Sequence, residues 1–176
     1  LYVANIWNGD QTETAYADAK ATAAATLDEG ELADFDSDVY LSLLSTNIAY
    51  KPVKSFTAEI LESVTLGGET RENVLKLTIN LNASANWSFV TLMLPKTSDA
   101  KIKIKYFVAS EDMPANGQLG LTNSDAATLV NNGFEVKDVW SEKEISTTGI
   151  KNLGIGMVNH TLDATVIIYV DAIVLS

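Results

Sequence analysis

The sequence predicts an all-β protein, a two-sheet antiparallel β-sandwich with a short helical or irregular N-terminal leader. Apolar and polar residues alternate at strand spacing from residue 31 onward. Turn sequences rich in Gly, Asn, Ser and Pro separate the alternating segments. No helical period is sustained after residue 50, so the expected eight or nine strands must bury their apolar faces against one another.

The N-terminal segment has a different composition. Residues 10–30 are rich in Ala, Thr and acidic residues, and Gly30 closes the stretch. Thr12 or Thr14 is a suitable N-cap for an Ala-rich helix, but the apolar residues are small and form no stripe. We therefore predict that residues 1–30 are a leader or linker with at most a short helix, and that residues 31–176 form the sandwich.

The clearest strand is 74–81, where four apolar side chains face one way and Lys76, Thr78 and Asn80 face the other. The segment 101–108 alternates in the same way, with its lysines facing water or a ligand. Residues 41–50 fit either a strand or a loop. Further strands are predicted at Phe56–Leu66, Ser88–Leu94, Phe134–Ile145, Leu153–Val158 and Thr165–Leu175. The last of these is apolar on both faces, which is typical of a central strand.

Composition excludes several classes of function. The chain has 176 residues with 12 Lys+Arg against 23 Asp+Glu, a net charge of −11, whereas nucleic-acid binding needs a cationic face. Its apolar runs are too short for a membrane-spanning helix, so no membrane partner is expected. The absence of Cys excludes disulfides, thiol catalysis and zinc–thiolate sites, and a single His leaves little room for a catalytic triad.

Three parts of the chain resemble one family when taken in order. They are an acidic–Phe–acidic segment at 32–38, the strand 74–81 leading to Trp87, and the two closing segments 151–158 and 168–175. Together they resemble the jelly-roll carbohydrate-binding modules of plant-cell-wall-degrading bacteria. The spacing from Trp87 onward is most similar to mannan-binding family 27, with β-glucan-binding family 11 close behind. The resemblance covers residues 31–176 and departs from the mannan binders at 113–121, where another binding aromatic is expected.

The resemblance implies a calcium-stabilised jelly roll that is secreted or cell-surface, monomeric and not an enzyme. It implies binding of a β-linked plant cell-wall polysaccharide, either mannan or glucomannan or a β-glucan, and targeting of an attached catalytic module. One alternative is a structural or cell-surface interaction domain without a sugar site. A small β-sandwich glycoside hydrolase is a third possibility, but none of the many carboxylates lies in a context that marks an acid and a nucleophile.

Aromatic side chains are the first candidate ligand contacts, because the C–H face of a pyranose ring stacks on an aromatic ring. Trp87 lies between polar neighbours at the start of a strand and matches a binding position of the family. Trp140 is in phase with Asp138, so its face of the strand is mixed. Tyr106 lies on the same face of its strand as Ile102 and Ile104, so it is either a core residue or a ligand contact. Sugar hydroxyls also need polar partners, for which we predict Glu111, Asn159 and His160.

Asp171 is the strongest candidate for a metal ligand. It lies within an otherwise apolar strand, where a carboxylate needs a cation or hydrogen-bond donors to offset its desolvation. The resemblance implies that Asp171 and Asp36, on the paired last and first strands, are ligands of a structural calcium ion. The alternative is that Asp171 lies at an exposed sheet edge and bonds a turn.

Overall fold

A computed structural model describes most of the chain. The described residues are 13–46, 53–81, 87–113, 117–123, 128–134, 138–145, 149–158 and 163–176. Within these ranges no helix is long and apolar enough to cross a membrane.

The described residues form one α-helix and eleven strands. The helix α1 spans Glu13–Thr26. The strands are β1 (Glu31–Ala33), β2 (Leu44–Ser45), β3 (Ser55–Leu66), β4 (Glu69–Asn80), β5 (Trp87–Ser98), β6 (Ile102–Phe107), β7 (Gln118–Asn123), β8 (Thr128–Phe134), β9 (Ser141–Ile145), β10 (Ile150–Val158) and β11 (Thr165–Leu175). The predicted strand Phe134–Ile145 is therefore divided, because β8 ends at Phe134 and β9 begins at Ser141. Asp138, between them, has a left-handed φ of 53°.

Two antiparallel sheets confirm the predicted sandwich. The six-stranded sheet has the order β3-β4-β11-β6-β9, with β1 paired to β11, and the five-stranded sheet has the order β2-β5-β10-β7-β8. The alternation predicted for 74–81 is confirmed, because Leu75, Leu77 and Ile79 are fully buried in the core. Val90 of β5 and Ile155 of β10 belong to the same core, which lies between the sheets.

Helix α1 lies against the sandwich. Ala23 is 1% exposed and belongs to the core, and Tyr16 and Ala19 pack against it. Lys96 Nζ of β5 donates a hydrogen bond to the carbonyl oxygen of Leu27 just after the helix, at 3.5 Å. Small side chains at the contact let the helix approach closely. The boundary at residue 30 stays a prediction, but the described part of the leader packs on the strands.

The β3–β4 hairpin bends sharply in its middle. Its ladder pairs Leu61 with Val74 and Ser63 with Glu72. Between these pairs Asn73 has a φ of 55°, a left-handed conformation that turns the strand. Beyond the bend, residues 63–72 leave the plane of the sheet; we call this segment the arm.

The arm folds over the outer face of the six-stranded sheet, the face directed away from the core. Val74, Phe107 and Trp140 form a second apolar cluster there, and all three are buried. The packing side chains on β3 are Leu61, Val64 and Leu66. We call these residues the outer-face cluster. At the tip of the arm, a Cβ on Gly67 would lie 2.8 Å from the backbone oxygen of Asp138 and 3.0 Å from the Phe107 ring.

Alanine substitutions in the tip of the arm test this packing. Gly67 and Gly68 both have positive φ, 58° and 82°, but a Cβ on Gly68 would meet nothing within 4 Å. We expect G68A to cost about 1 kcal/mol through backbone strain alone. G67A should cost roughly 2 kcal/mol more, because the added methyl group overpacks against backbone. Denaturant unfolding measures both, and equal costs would contradict the docked arm.

Candidate functional site

Outward-facing side chains of the six-stranded sheet form a row across four strands. The ladders pair Glu59 of β3 with Lys76 of β4, Lys76 with Tyr169 of β11, and Tyr169 with Phe107 of β6. These residues face outward because their chain neighbours face the core, as Leu75 does beside Lys76. The row therefore places an ion pair and two aromatic rings side by side on one surface.

Glu59 and Lys76 form a close ion pair in this row. Lys76 Nζ donates to Glu59 Oε1 at 2.6 Å, and the two side chains are only 27% and 24% exposed. The hydrogen bond to Glu59 raises the pKa of Lys76 above its ordinary value. Each side chain limits the rotamers of the other, so both polar groups are held in place beside Tyr169.

Tyr169 is partly buried and lies at the centre of the row. Its ring meets Phe107 edge-on, with centroids 6.1 Å apart. Burial raises the pKa of Tyr169, as do the charges of Asp112 and Glu59, while Lys76 acts in the opposite direction. The phenol is therefore neutral at physiological pH, and no described residue hydrogen-bonds its hydroxyl group.

A short 3-10 turn, Ser110–Asp112, follows β6 and brings acidic groups to the other side of Tyr169. Asp138 holds the turn, since its two carboxylate oxygens accept hydrogen bonds from Ser110 N and Ser110 Oγ, each at 2.5 Å. Those bonds lower the pKa of Asp138. Burial raises the pKa of Asp112, and the charge of Glu111 adds to the effect. We call Tyr169, Lys76, Glu59 and Asp112 the Tyr169 corner.

The predicted ligand aromatics do not converge on this corner. Trp140 is 8% exposed within the outer-face cluster, and Tyr106 is 5% exposed within the main core. Trp87 is partly buried on the opposite side of the molecule, paired with Val158 on the outer face of the five-stranded sheet. Ligand contact by these three residues stays a prediction, and burial of Trp140 and Tyr106 leaves little ring surface for a sugar.

The predicted polar contacts have mixed positions. Glu111 is exposed on the Ser110–Asp112 turn, next to the Tyr169 corner. Asn159 and His160 lie outside the described residues. Of the predicted ligand contacts that fall within the described residues, Glu111 lies beside the corner.

The two predicted calcium ligands have different surroundings. Asp171 Oδ2 lies 3.9 Å from Arg71 Nη1 of the arm. Burial raises the pKa of Asp171, while Arg71 and Lys105 act to lower it. Asp36 lines a groove of about 850 Å³ along β3, together with Glu59. Within the described ranges, no three His, Cys, Asp or Glu side chains are grouped as a metal site.

Tyr169 is not among the residues predicted from the sequence, because β11 is apolar on both faces and this pattern is typical of a strand buried on both sides. One signal was available. Tyr169 has the same strand parity as Asp171, and a carboxylate is a poor core residue, so this parity marks the outward face. Lys76 was correctly predicted to face outward, but its pairing with Glu59 and Tyr169 needs the strand order.

Comparison with solved structures finds distant similarities. An exo-β-agarase structure aligns with 84% of this chain at 12% identity and a TM-score of 0.45, and the chain spans 25% of that protein's length. A mutant of a carbohydrate-binding module of family 29 aligns over 69% of this chain and 81% of its own, at 12% identity and a TM-score of 0.36. No family model and no curated protein matches the sequence. These similarities are too distant to assign a ligand or an activity.

The partly buried carboxylate of Asp171 predicts a pH dependence of stability. Because the pKa of Asp171 is raised in the folded state, its contribution to stability is fully present below the ordinary carboxyl pKa and is lost as pH rises through the raised value. We expect D171N, with chelator present, to melt higher than wild type at pH 7 and equally at pH 3. The control D163N alters a side chain that is 63% exposed. It should leave the melting temperature unchanged at both pH 7 and pH 3.

Proposed function

We propose that this chain is a non-catalytic carbohydrate-binding module and that the Tyr169 corner is its ligand site. One observation carries the proposal: a partly exposed aromatic ring lies between a fixed Lys76–Glu59 pair and the Asp112 carboxyl group. The same surface is the outer face of a rigid sheet, which suits recognition without a large conformational change.

The chemistry of the corner matches that of a sugar ring. A pyranose places axial C–H groups over an aromatic face, and its equatorial hydroxyls extend toward groups at the ring's edge. Glu59 and Asp112 supply acceptors on either side of Tyr169, and Lys76 supplies a donor. Because the ion pair already orders Lys76 and Glu59, little side-chain entropy is lost on binding.

The ligand that we propose is a β-linked plant cell-wall polysaccharide, either mannan or glucomannan or a β-glucan. The module would act outside the cell as a monomer, and it would hold an attached catalytic module at high local concentration on the polymer. Trp87 is kept as a second candidate contact, on the outer face of the other sheet. Its position there supports a separate site and not an extension of the corner.

Affinity electrophoresis in glucomannan, galactomannan, xyloglucan and mixed-linkage glucan gels tests the proposal. We expect retardation in at least one gel, and Y169A should weaken it about tenfold, because a stacked aromatic contributes up to about 1.5 kcal/mol. Y169F keeps the ring and should retain most of the affinity. Weaker retardation of W87A would show that the outer face of the five-stranded sheet also binds the polysaccharide.

Other outcomes favour the other functions. Loss of retardation in Y169A counts only if its thermal melting matches that of Y169F, since Tyr169 packs against the outer-face cluster. Migration unchanged in every gel would reject sugar binding and favour a structural or interaction domain. Release of reducing sugar from any of the polymers would favour a glycoside hydrolase.

Calcium is a separate proposal for Asp36 and Asp171. A carboxylate that is 17% exposed and has a raised pKa supports it, whereas the nearby Arg71 and the lack of a third described carboxylate count against it. If calcium binds there, adding it should raise the melting temperature of wild type, and D36N and D171N should abolish the increase. No response to calcium or to chelator in wild type would reject the site.

A further inference from the structure

We propose that the Tyr169 corner binds the end of a saccharide chain, and not its interior. This inference rests on the proposed function and concerns the shape of the same site. The protein closes two adjacent sides of the corner, the Asp171 end of β11 and the Phe107 side. An extended chain stacked on Tyr169 can therefore leave through the two remaining sides but cannot run straight across the ring.

The arm closes the first side. Asp171 follows Tyr169 by two residues on β11, at a register irregularity between Val170 and Ala172, and its carboxylate lies on the side of the sheet that the arm covers. Arg71 of the arm lies over it at 3.9 Å, and the tip of the arm at Gly67 reaches Phe107 on β6. Phe107 and Trp140 face outward but are only 4% and 8% exposed, so the arm covers the sheet across these strands.

The Ser110–Asp112 turn closes the second side. It follows β6 directly and contacts β11, so that Asp112 acts electrostatically on Tyr169. Asp138 fixes the turn through Ser110, and the backbone oxygen of Asp138 also meets the tip of the arm at Gly67. Arm and turn therefore meet at Asp138, and they close the corner beyond the Phe107 side of Tyr169.

The open direction runs toward the Thr165 end of β11, over the part of the sheet formed by β3 and β4. Because β6 is antiparallel to β11, the Ser110–Asp112 turn that follows Phe107 lies beside this end of β11 and borders the path on its β6 side. Thr57, Thr78 and Ile167 form the next cross-strand row, and Ser55, Asn80 and Thr165 form the one after it. Asn80 links the residues of the last row. Its Nδ2 donates a hydrogen bond to Ser55 Oγ, and its Oδ1 accepts one from Thr165 Oγ1, each at 2.9 Å. From Tyr169 to Thr165 is about 13 Å, the length of a short oligosaccharide, and a cavity beside Lys54 and Asp163 lies at the end.

This arrangement determines which part of a chain fits. The terminal ring stacks on Tyr169, and the following sugars lie along the Thr78 and Asn80 rows, whose hydroxyl and amide groups match sugar hydroxyls. An internal sugar on Tyr169 would need a continuing chain in the space that the arm or the turn fills. Chain ends and short oligosaccharides are therefore the ligands that the corner accepts.

Counting binding sites per mass of polymer tests the inference. The probes are β-1,4-linked mannohexaose and cellohexaose together with glucomannan, before and after limited endo-hydrolysis. Calorimetry should give affinity for a hexaose that equals or exceeds the affinity per site of the polymer. Hydrolysis should raise the capacity of glucomannan in proportion to its number of chain ends. Capacity that is high in the intact polymer and unchanged by hydrolysis would overturn end binding but leave sugar binding standing.

Two obstructing variants locate the open direction. T78W places a large ring on the proposed path and should weaken hexaose binding at least tenfold. K103W alters the same outer face beyond the arm, at a side chain 39% exposed, and should leave binding unchanged. Normal hexaose binding by T78W would overturn the path. Absence of binding to every hexaose and polymer by wild type would reject the proposed function itself.

Discussion

Burial of the outer-face cluster is the constraint on which the shape of the candidate site depends. Val74, Phe107 and Trp140 stand on the side of the sheet that faces water, and burial of each large apolar side chain is worth about 2 kcal/mol. The bend at Asn73 lets the hairpin cover them. The arm, the position of Gly67 and the closed side of the Tyr169 corner all follow from that burial.

Charged groups then set the chemistry of the uncovered part. On the part of the sheet that the arm does not cover, Lys76 and Glu59 form an ion pair at 2.6 Å. Nearby, Asp138 accepts hydrogen bonds from Ser110 and holds the Ser110–Asp112 turn. Partial burial makes the Lys76–Glu59 bond stronger than an exposed surface pair. Lys101, just before β6, and Lys103 of β6 instead pair with Glu144 and Glu142 of β9 at the surface, where such pairs contribute little.

Most of the strands could be predicted because alternation is a local property. Phe56–Leu66 and Thr165–Leu175 differ from the observed strands by at most one residue. The candidate site was less predictable. Parity gave Trp140 a mixed face in the predicted strand 134–145, but Trp140 lies before β9 and not in a strand, and a local pattern does not show that a distant hairpin covers it. The same limit applies to Tyr169, because its strand is apolar on both faces, with Ile167 on the face of Tyr169 and Val170 on the other.

The sequence by itself determined the fold class, the phase of the main strands and the outward direction of Lys76, because side-chain alternation within a strand follows from backbone geometry. Only the tertiary structure decided which outward residues stay in contact with solvent. That depends on strand order, which brings Glu59, Lys76 and Tyr169 together, and on the bend at Asn73, which covers Trp140 and leaves Tyr169 partly exposed. Both are contacts between residues far apart in the chain, and no local pattern encodes them.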